Sequence, residues 1–147
     1  YTTLFRSFLP TKEVIIDLDS GRSGTESIFT VAPHNEPYMN VELSGDTIVL
    51  NLPIEVFSIY KNCGNSVQSK EYFISLFFIP ALTFVLSEIK NKNVSEDLDW
   101  YQSIDALLTQ EGINLYNEST LAIAQRLLNC PLIKSVHDKF AGDEVND

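Results

Sequence analysis

The hydrophobic residues of this chain change their spacing at Pro53, and that change limits the folds open to it. Before Pro53, apolar and β-branched residues come in short runs that alternate with polar residues, as in half-buried strands. After Pro53, they recur every three or four residues, as on one face of a helix. Because all the strand signals precede the helix signals, the sequence predicts an α+β fold.

The N-terminal part of the chain predicts about four strands between residues 12 and 52. Short links that contain Gly or Pro join them, which is typical of hairpins. We therefore expect an antiparallel β meander that packs against the helical part. The predicted strands cover residues 12–19, 27–32, 39–43 and 47–52.

The C-terminal part, residues 53 to about 140, predicts about four helices. Pro53 suits a first helical turn, because its missing N–H would have no partner there. The longest candidate covers residues 69–92, and Pro80 is expected to kink or divide it. Further helices are expected from Ser95 to Gly112, from Asn117 to Pro131, and over residues 132–140.

The centre of the longest predicted helix, Tyr72 to Ser87, carries no charged residue. These 16 residues fall short of the roughly 20 that a helix needs to cross a bilayer. Charged residues flank the uncharged run on both sides. We therefore expect a buried core helix and no membrane insertion.

The charge balance excludes some classes of partner. The chain has 20 acidic and 10 basic residues, a net charge of -10, and its Lys and Arg residues do not cluster. Nucleic-acid binding depends largely on basic residues that neutralise phosphates, and anionic membranes attract basic segments in the same way. We expect no nucleic-acid partner and no membrane partner.

The two cysteines, Cys63 and Cys130, lie far apart in the sequence and neither belongs to a CxxC pair. The only histidines are His34 and His137, and the four residues do not have the spacing of a zinc site. We predict two buried free thiols in a cytoplasmic protein, with a single disulfide as the alternative.

The length of 147 residues fits one domain, and we treat residues 1–147 as a single unit. The chain begins at Tyr1, without an initiator Met or an apolar leader. We therefore expect it to be a fragment of a longer protein.

An acidic motif follows the first predicted strand. Asp17-Leu18-Asp19 comes directly after Val14-Ile15-Ile16, and Asp143 and Glu144 lie near the end of the chain. Together these resemble the first and last motifs of the haloacid-dehalogenase-like phosphatases. The resemblance implies that Asp17 attacks phosphorus, that Asp19 acts as acid and base, and that Asp143 helps to hold magnesium. The chain departs from that family in having Gly21 and Arg22 where a Thr is expected, and in lacking alternating strands and helices between the motifs.

Three other sites stay open. Asp17, Asp19, Ser20 and Glu26 offer calcium ligands, but the flanking helices of an EF-hand are missing from the pattern. Cys130 and His137 would form a catalytic pair only if the fold brought them together. A small-ligand pocket beside the kink at Pro80 is the third possibility.

Large aromatic side chains are more numerous than a small core requires. Phe77, Phe84, Trp100 and Tyr101 are the candidates for an exposed patch. The first hypothesis is a non-catalytic interaction or assembly domain of a larger bacterial or phage-type protein. It would bind a protein partner or another copy of itself, without a cofactor. The alternative is a metal-dependent phosphohydrolase that uses Asp17 and Asp19.

Overall fold

The computed structural model describes residues 13–14, 28–63 and 67–141. Within it the chain forms two compact units, each built from two separate stretches of sequence. The sheet unit takes its described residues from Tyr1–Ser58 and Val94–Ala106, and the helical unit takes its own from Ile59–Asn93 and Leu107–Asp147. In the described residues the strands precede the helices, so the predicted α+β class is confirmed. That the whole chain is one domain stays a prediction.

In the described residues of the sheet unit, four strands form one sheet in the order β1-β2-β4-β3. β1 pairs antiparallel with β2, β2 pairs parallel with β4, and β3 pairs antiparallel with β4. The β3–β4 pair is the hairpin that the sequence predicts around Gly45. The strand bounds are β1 Glu13–Val14, β2 Phe29–His34, β3 Asn40–Glu42 and β4 Ile48–Pro53.

The predicted antiparallel meander is wrong at one place, because β2 does not pair with β3. Instead β2 and β4 lie side by side in parallel, with Val31 opposite Leu50. These two strands carry the apolar side chains, and central positions bury a strand on both sides. β3 has only three residues, two of them exposed, and its polar side chains suit an edge. The chain therefore takes β3 to the outside of the sheet before β4 returns to the centre.

The predicted change from strand to helix near Pro53 is confirmed. β4 buries Ile48, Leu50 and Leu52 and leaves the residues between them half-buried, which is the period of two that the sequence shows. Helix α1, Ile54–Cys63, begins directly after Pro53. Large apolar side chains that are buried in the sheet unit include Ile28, Phe29, Val31, Ile48, Leu50, Leu52, Phe57, Trp100 and Ile104.

The helical unit is organised around a helix that runs from residue 67 to residue 90. Its buried side contacts α5, and Ser87 Oγ lies 3.3 Å from Thr120 Oγ1 across that contact. Before residue 91 its segments are α2 Val67–Phe73, a π-helical turn π1 Ile74–Phe78 and α3 Ile79–Lys90. The next helix, α4 Asp99–Gln110, belongs to the sheet unit up to Ala106 and to the helical unit after it. The helical unit continues with α5 Thr120–Leu127, α6 Pro131–Val136 and a second π-helical turn π2 His137–Ala141.

Pro80 coincides with a change of winding in this long helix. The π turn ends at Phe78, the Ile79 N–H donates to the Ile74 carbonyl, and regular α-helix follows. A proline ring clashes with the carbonyl four residues before it, and π winding is one way to relieve that clash. Instead of dividing the helix, Pro80 lies in the first turn of α3.

Three of the described helices end in the same hydrogen-bonded motif. After α5, Asn129 N–H donates to Arg126 and Cys130 N–H donates to Gln125, and Asn129 has a φ of 64°. This pair of bonds defines a Schellman motif, which satisfies carbonyls at the end of a helix. The long helix ends in a Schellman motif at Lys92, and α4 ends in one at Gly112. The sequence predicts the end of that helix at Gly112.

Candidate interaction surface

The residues of the metal and phosphohydrolase hypothesis, Asp17, Asp19 and Asp143, lie outside the described residues. Within the described ranges, no group of three or more His, Cys, Asp and Glu side chains is close enough to hold a metal ion. The hypothesis of a metal-dependent enzyme therefore stays a prediction.

The four aromatic residues that the sequence offers as interaction residues have different positions. Phe84 is exposed over 45% of its surface and Tyr101 is half-buried. Phe77 and Trp100, with exposures of 7% and 1%, lie inside the fold. Their rings are therefore not available to a partner, and their prediction as surface contacts needs this correction.

Local contacts account for the burial of the two interior rings. The Trp100 indole N–H donates to the Leu43 carbonyl at 3.1 Å within the sheet unit, which satisfies its one polar group. Phe77 stacks on Phe73 in the helical unit, with 5.5 Å between the ring centroids. Both therefore fill the interior of their units, which is the usual role of aromatic residues at helical spacing.

The long helix presents an apolar stripe on its exposed side. Tyr72, Leu76, Pro80 and Phe84 are all exposed and follow one another at intervals of four residues. Residues four apart on a helix lie on the same face, and here that face extends over three turns. The run from Tyr72 to Ser87 has no charge, so no charged residue of the helix interrupts it. We call these four residues the long-helix stripe.

The helix Ser69–Lys90 is, within the described part of the chain, long and apolar enough to cross a membrane, with a mean hydropathy of 1.9. Length and composition alone are weak evidence for a membrane-spanning helix, since the core helix of a soluble protein has the same properties. One side of the helix is buried, with Leu82, Val85 and Leu86 fully enclosed. The prediction of a buried helix is thus confirmed for one side and wrong for the side that carries the stripe.

A second apolar stripe lies on α6 and π2. Val136 lies four and three residues after the first two members of the stripe and four before the last, which places all of them along one helical face. Ile133, at 74%, is the most exposed of all the large apolar side chains described. The members of this C-terminal stripe are Leu132, Ile133, Val136 and Phe140.

The opposite side of α6 is attached to the long helix through a serine. Ser135 is buried, and its hydroxyl oxygen lies 2.7 Å from the carbonyls of Glu71 and Pro131 and from the Ser75 hydroxyl. An amphipathic helix normally buries its apolar face and exposes its polar one. In α6 the order is reversed, because Pro131 and Ser135 face inward while the apolar stripe faces outward.

The two cysteines are free thiols, as expected, but both are exposed rather than buried. Cys63 lies in the last turn of α1, and Cys130 occupies the position before α6 with a φ of 50°. Because α6 begins at Pro131, Cys130 lies in the short connection between α5 and α6 and belongs to neither helix.

No protein family, curated protein or solved structure matches the chain. The grounds for a function are therefore its own residues and their geometry.

Proposed function

We propose that this chain is a non-catalytic interaction or assembly domain of a larger protein, and that the two apolar stripes of the helical unit are its contact surface. The observation that carries the proposal is the reversed orientation of α6, which buries Ser135 and exposes Leu132, Ile133, Val136 and Phe140. Single apolar residues are common on protein surfaces, but a row of them on one helical face is typical of contact sites.

The long-helix stripe supports the same function. A helix that binds a groove or another helix does so through apolar residues at intervals of three and four, as in helical recognition peptides. Complete burial of one such side chain contributes about 1.5 to 3 kcal/mol, so a half-exposed Leu or Phe would contribute about 1 kcal/mol more on binding. Eight such side chains would contribute roughly 8 kcal/mol, which exceeds the cost of association only in the lower part of its range of about 4 to 15 kcal/mol, so we expect a weak complex.

The overall charge restricts how the contact forms. The chain carries a net charge of -10, so two copies repel each other at long range. Salt screens that repulsion without weakening apolar contacts. Self-association through the stripes should therefore become stronger between about 20 and 300 mM salt, whereas a complex with a basic partner should become weaker.

The test uses glutamate substitutions and a matched control. Leu76 and Leu121 are both leucines of the helical unit, with exposures of 49% and 50%, but only Leu76 belongs to a stripe. We expect Leu76→Glu and Ile133→Glu to weaken association at least about tenfold, because each removes an apolar contact and buries a charge. Leu121→Glu should have no effect. Sedimentation velocity measures self-association, and photo-crosslinking from positions 76, 133 and 121 in the native host detects other partners.

Two results would contradict the proposal. One is a monomer at every protein and salt concentration, together with no more crosslinked protein from positions 76 and 133 than from position 121. The other is an equal loss of association in all three glutamate variants. Flotation with anionic and neutral vesicles separates a membrane role from a protein contact, and binding to vesicles that Leu76→Glu abolishes would favour the membrane.

A further inference from the structure

A half-open cavity of about 480 Å³ lies within the helical unit. This volume is within the range of small-molecule sites, about 300 to 1,000 Å³. It does not lie beside Pro80, where the sequence suggests a pocket. Its lining comes from α1, α2, α6 and π2, and consists of Ile59, Cys63, Ser69, Tyr72, Phe73, Ser135, Asp138 and Lys139.

One wall of the cavity is apolar and held in place by neighbouring rings. Phe73 makes an edge contact with Tyr60, with 5.3 Å between the ring centroids, and a stacked contact with Phe77. Tyr72 meets Phe73 edge to face at 5.7 Å. The wall therefore offers a ring surface whose position is fixed by packing rather than by a ligand, and it suits an aryl or alkyl group.

The lining of the cavity also includes two residues of opposite charge. Asp138 and Lys139 come from π2, both are exposed, and neither makes an ion pair with a described residue. Ser135 is not a free donor, because its hydroxyl already has partners in the carbonyls of Glu71 and Pro131. Among the described lining residues, the ionic groups available to a ligand are therefore one carboxylate and one ammonium, on consecutive residues of the chain.

We propose that this cavity binds a small zwitterion with an apolar side chain, that is, an apolar α-amino acid or a close relative. The ammonium group of the ligand pairs with Asp138 and its carboxylate pairs with Lys139, while its side chain packs on Tyr72 and Phe73. A ligand that carries only a carboxylate would pair with Lys139 but would also lie near the like-charged Asp138. A ligand that carries only an ammonium group would pair with Asp138 but would also lie near Lys139. Charge-assisted hydrogen bonds to both charged groups of the ligand give the site its selectivity.

The experiment compares three ligands that share one ring. L-phenylalanine carries both charges, phenylacetate has only the carboxylate, and phenethylamine has only the ammonium. The whole chain, labelled with ¹⁵N, is titrated with each to about 10 mM, beyond which the binding free energy is very small. We expect L-phenylalanine to shift the amide signals of Tyr72, Phe73 and Asp138 and to bind at least about tenfold more tightly than either analogue.

Two variants and a matched control test the assignment of charges. Asp138→Asn and Lys139→Met should each weaken L-phenylalanine binding about tenfold or more, since each removes a charged partner. Lys134→Met removes an exposed lysine of the adjoining helix that does not line the cavity, and it should leave binding unchanged. All three positions are exposed, so the fold should persist, and circular dichroism checks this.

The outcomes are separable from those of the proposed function, because neither Asp138 nor Lys139 belongs to a stripe. Binding of L-phenylalanine that depends on both charged residues, and not on Lys134, supports the site. Equal binding of a single-charge analogue, insensitivity to both variants, or the absence of binding by all three ligands would overturn it.

Discussion

The attachment of α6 to the long helix gives the sharpest prediction about stability. Replacement of Ser135 by Ala should destabilise the chain by about 2 kcal/mol, because it removes a buried hydroxyl that contacts three oxygens at 2.7 Å. The hydroxyl has one proton, so it donates to one carbonyl at a time and accepts from Ser75. Loss of a buried hydrogen bond costs about 1 kcal/mol, and the partners left behind add about as much again.

A double-mutant cycle with Ser75 measures how much of that loss belongs to the pair. Removal of Ser75 alone should cost about 1 kcal/mol, and removal of both hydroxyls should cost less than the sum, because no unpaired hydroxyl then remains. Urea unfolding, followed by circular dichroism, gives the three free energies. A loss of about 2 kcal/mol also corresponds to a fall of roughly 4 to 8 °C in Tm for a chain of this size.

Ser58 supplies the control for this experiment. Its hydroxyl donates to the Ile54 carbonyl at 3.0 Å, the same bond to a carbonyl four residues earlier, but at an exposed position. Ser58→Ala should change the free energy of unfolding by less than about 0.5 kcal/mol. If Ser135→Ala cost no more than Ser58→Ala, or if the Ser75 and Ser135 losses simply added, the hydroxyl network would not be what fixes α6.

Two further predictions concern single residues elsewhere in the fold. Lys92 has a φ of 58° just after the end of α3, a backbone conformation that favours glycine, so Lys92→Gly should stabilise the chain by about 1 kcal/mol. Lys90→Gly, within the helix, should destabilise it by about as much. Thermal unfolding of both variants checks the sign of each change. Trp100 is the one tryptophan and is buried, so its fluorescence emission should lie to the blue of free tryptophan, and emission like that of free tryptophan would contradict its burial. Trp100→Phe loses the hydrogen bond to the Leu43 carbonyl and should lower the free energy of unfolding in urea by about 1 to 3 kcal/mol.

The sequence predicted the class of the fold because hydrophobic spacing records which faces are buried. Alternate burial of Ile48, Leu50 and Leu52 and the start of a helix after Pro53 are both local effects, and both were readable. The parallel pairing of β2 with β4 could not be predicted from the sequence, because it depends on which strands take the central positions of the sheet. The local alternation of polar and apolar residues in a short strand such as β3 is the same whether the strand lies at the edge of a sheet or in the middle of a meander.

Helix starts and the contact surface show a second limit of sequence reasoning. Two helices begin at Asp99 and Thr120, later than the predicted starts at Ser95 and Asn117. The Ser95 hydroxyl instead accepts from the Asp97 N–H in a turn, and Ser119 caps α5. Among the aromatic candidates, only Phe84 is strongly exposed. Spacing alone does not say which side of a helix that is apolar all round faces the core, since the long helix has apolar residues on both.

The orientation of α6 then distinguishes a contact surface from surplus apolar residues. If α6 served only the stability of this chain, burial of Leu132, Ile133, Val136 and Phe140 in place of Pro131 and Ser135 would stabilise it by several kcal/mol. The polar network at Ser135 opposes that rotation, because turning α6 would leave the hydroxyl of Ser75 without its partner. Stability and association should therefore respond to different residues. Ser135→Ala should lower the free energy of unfolding of the isolated chain, whereas Ile133→Glu should leave it nearly unchanged and weaken the complex. A variant at position 133 that unfolded the isolated chain would mean that the stripe packs within it.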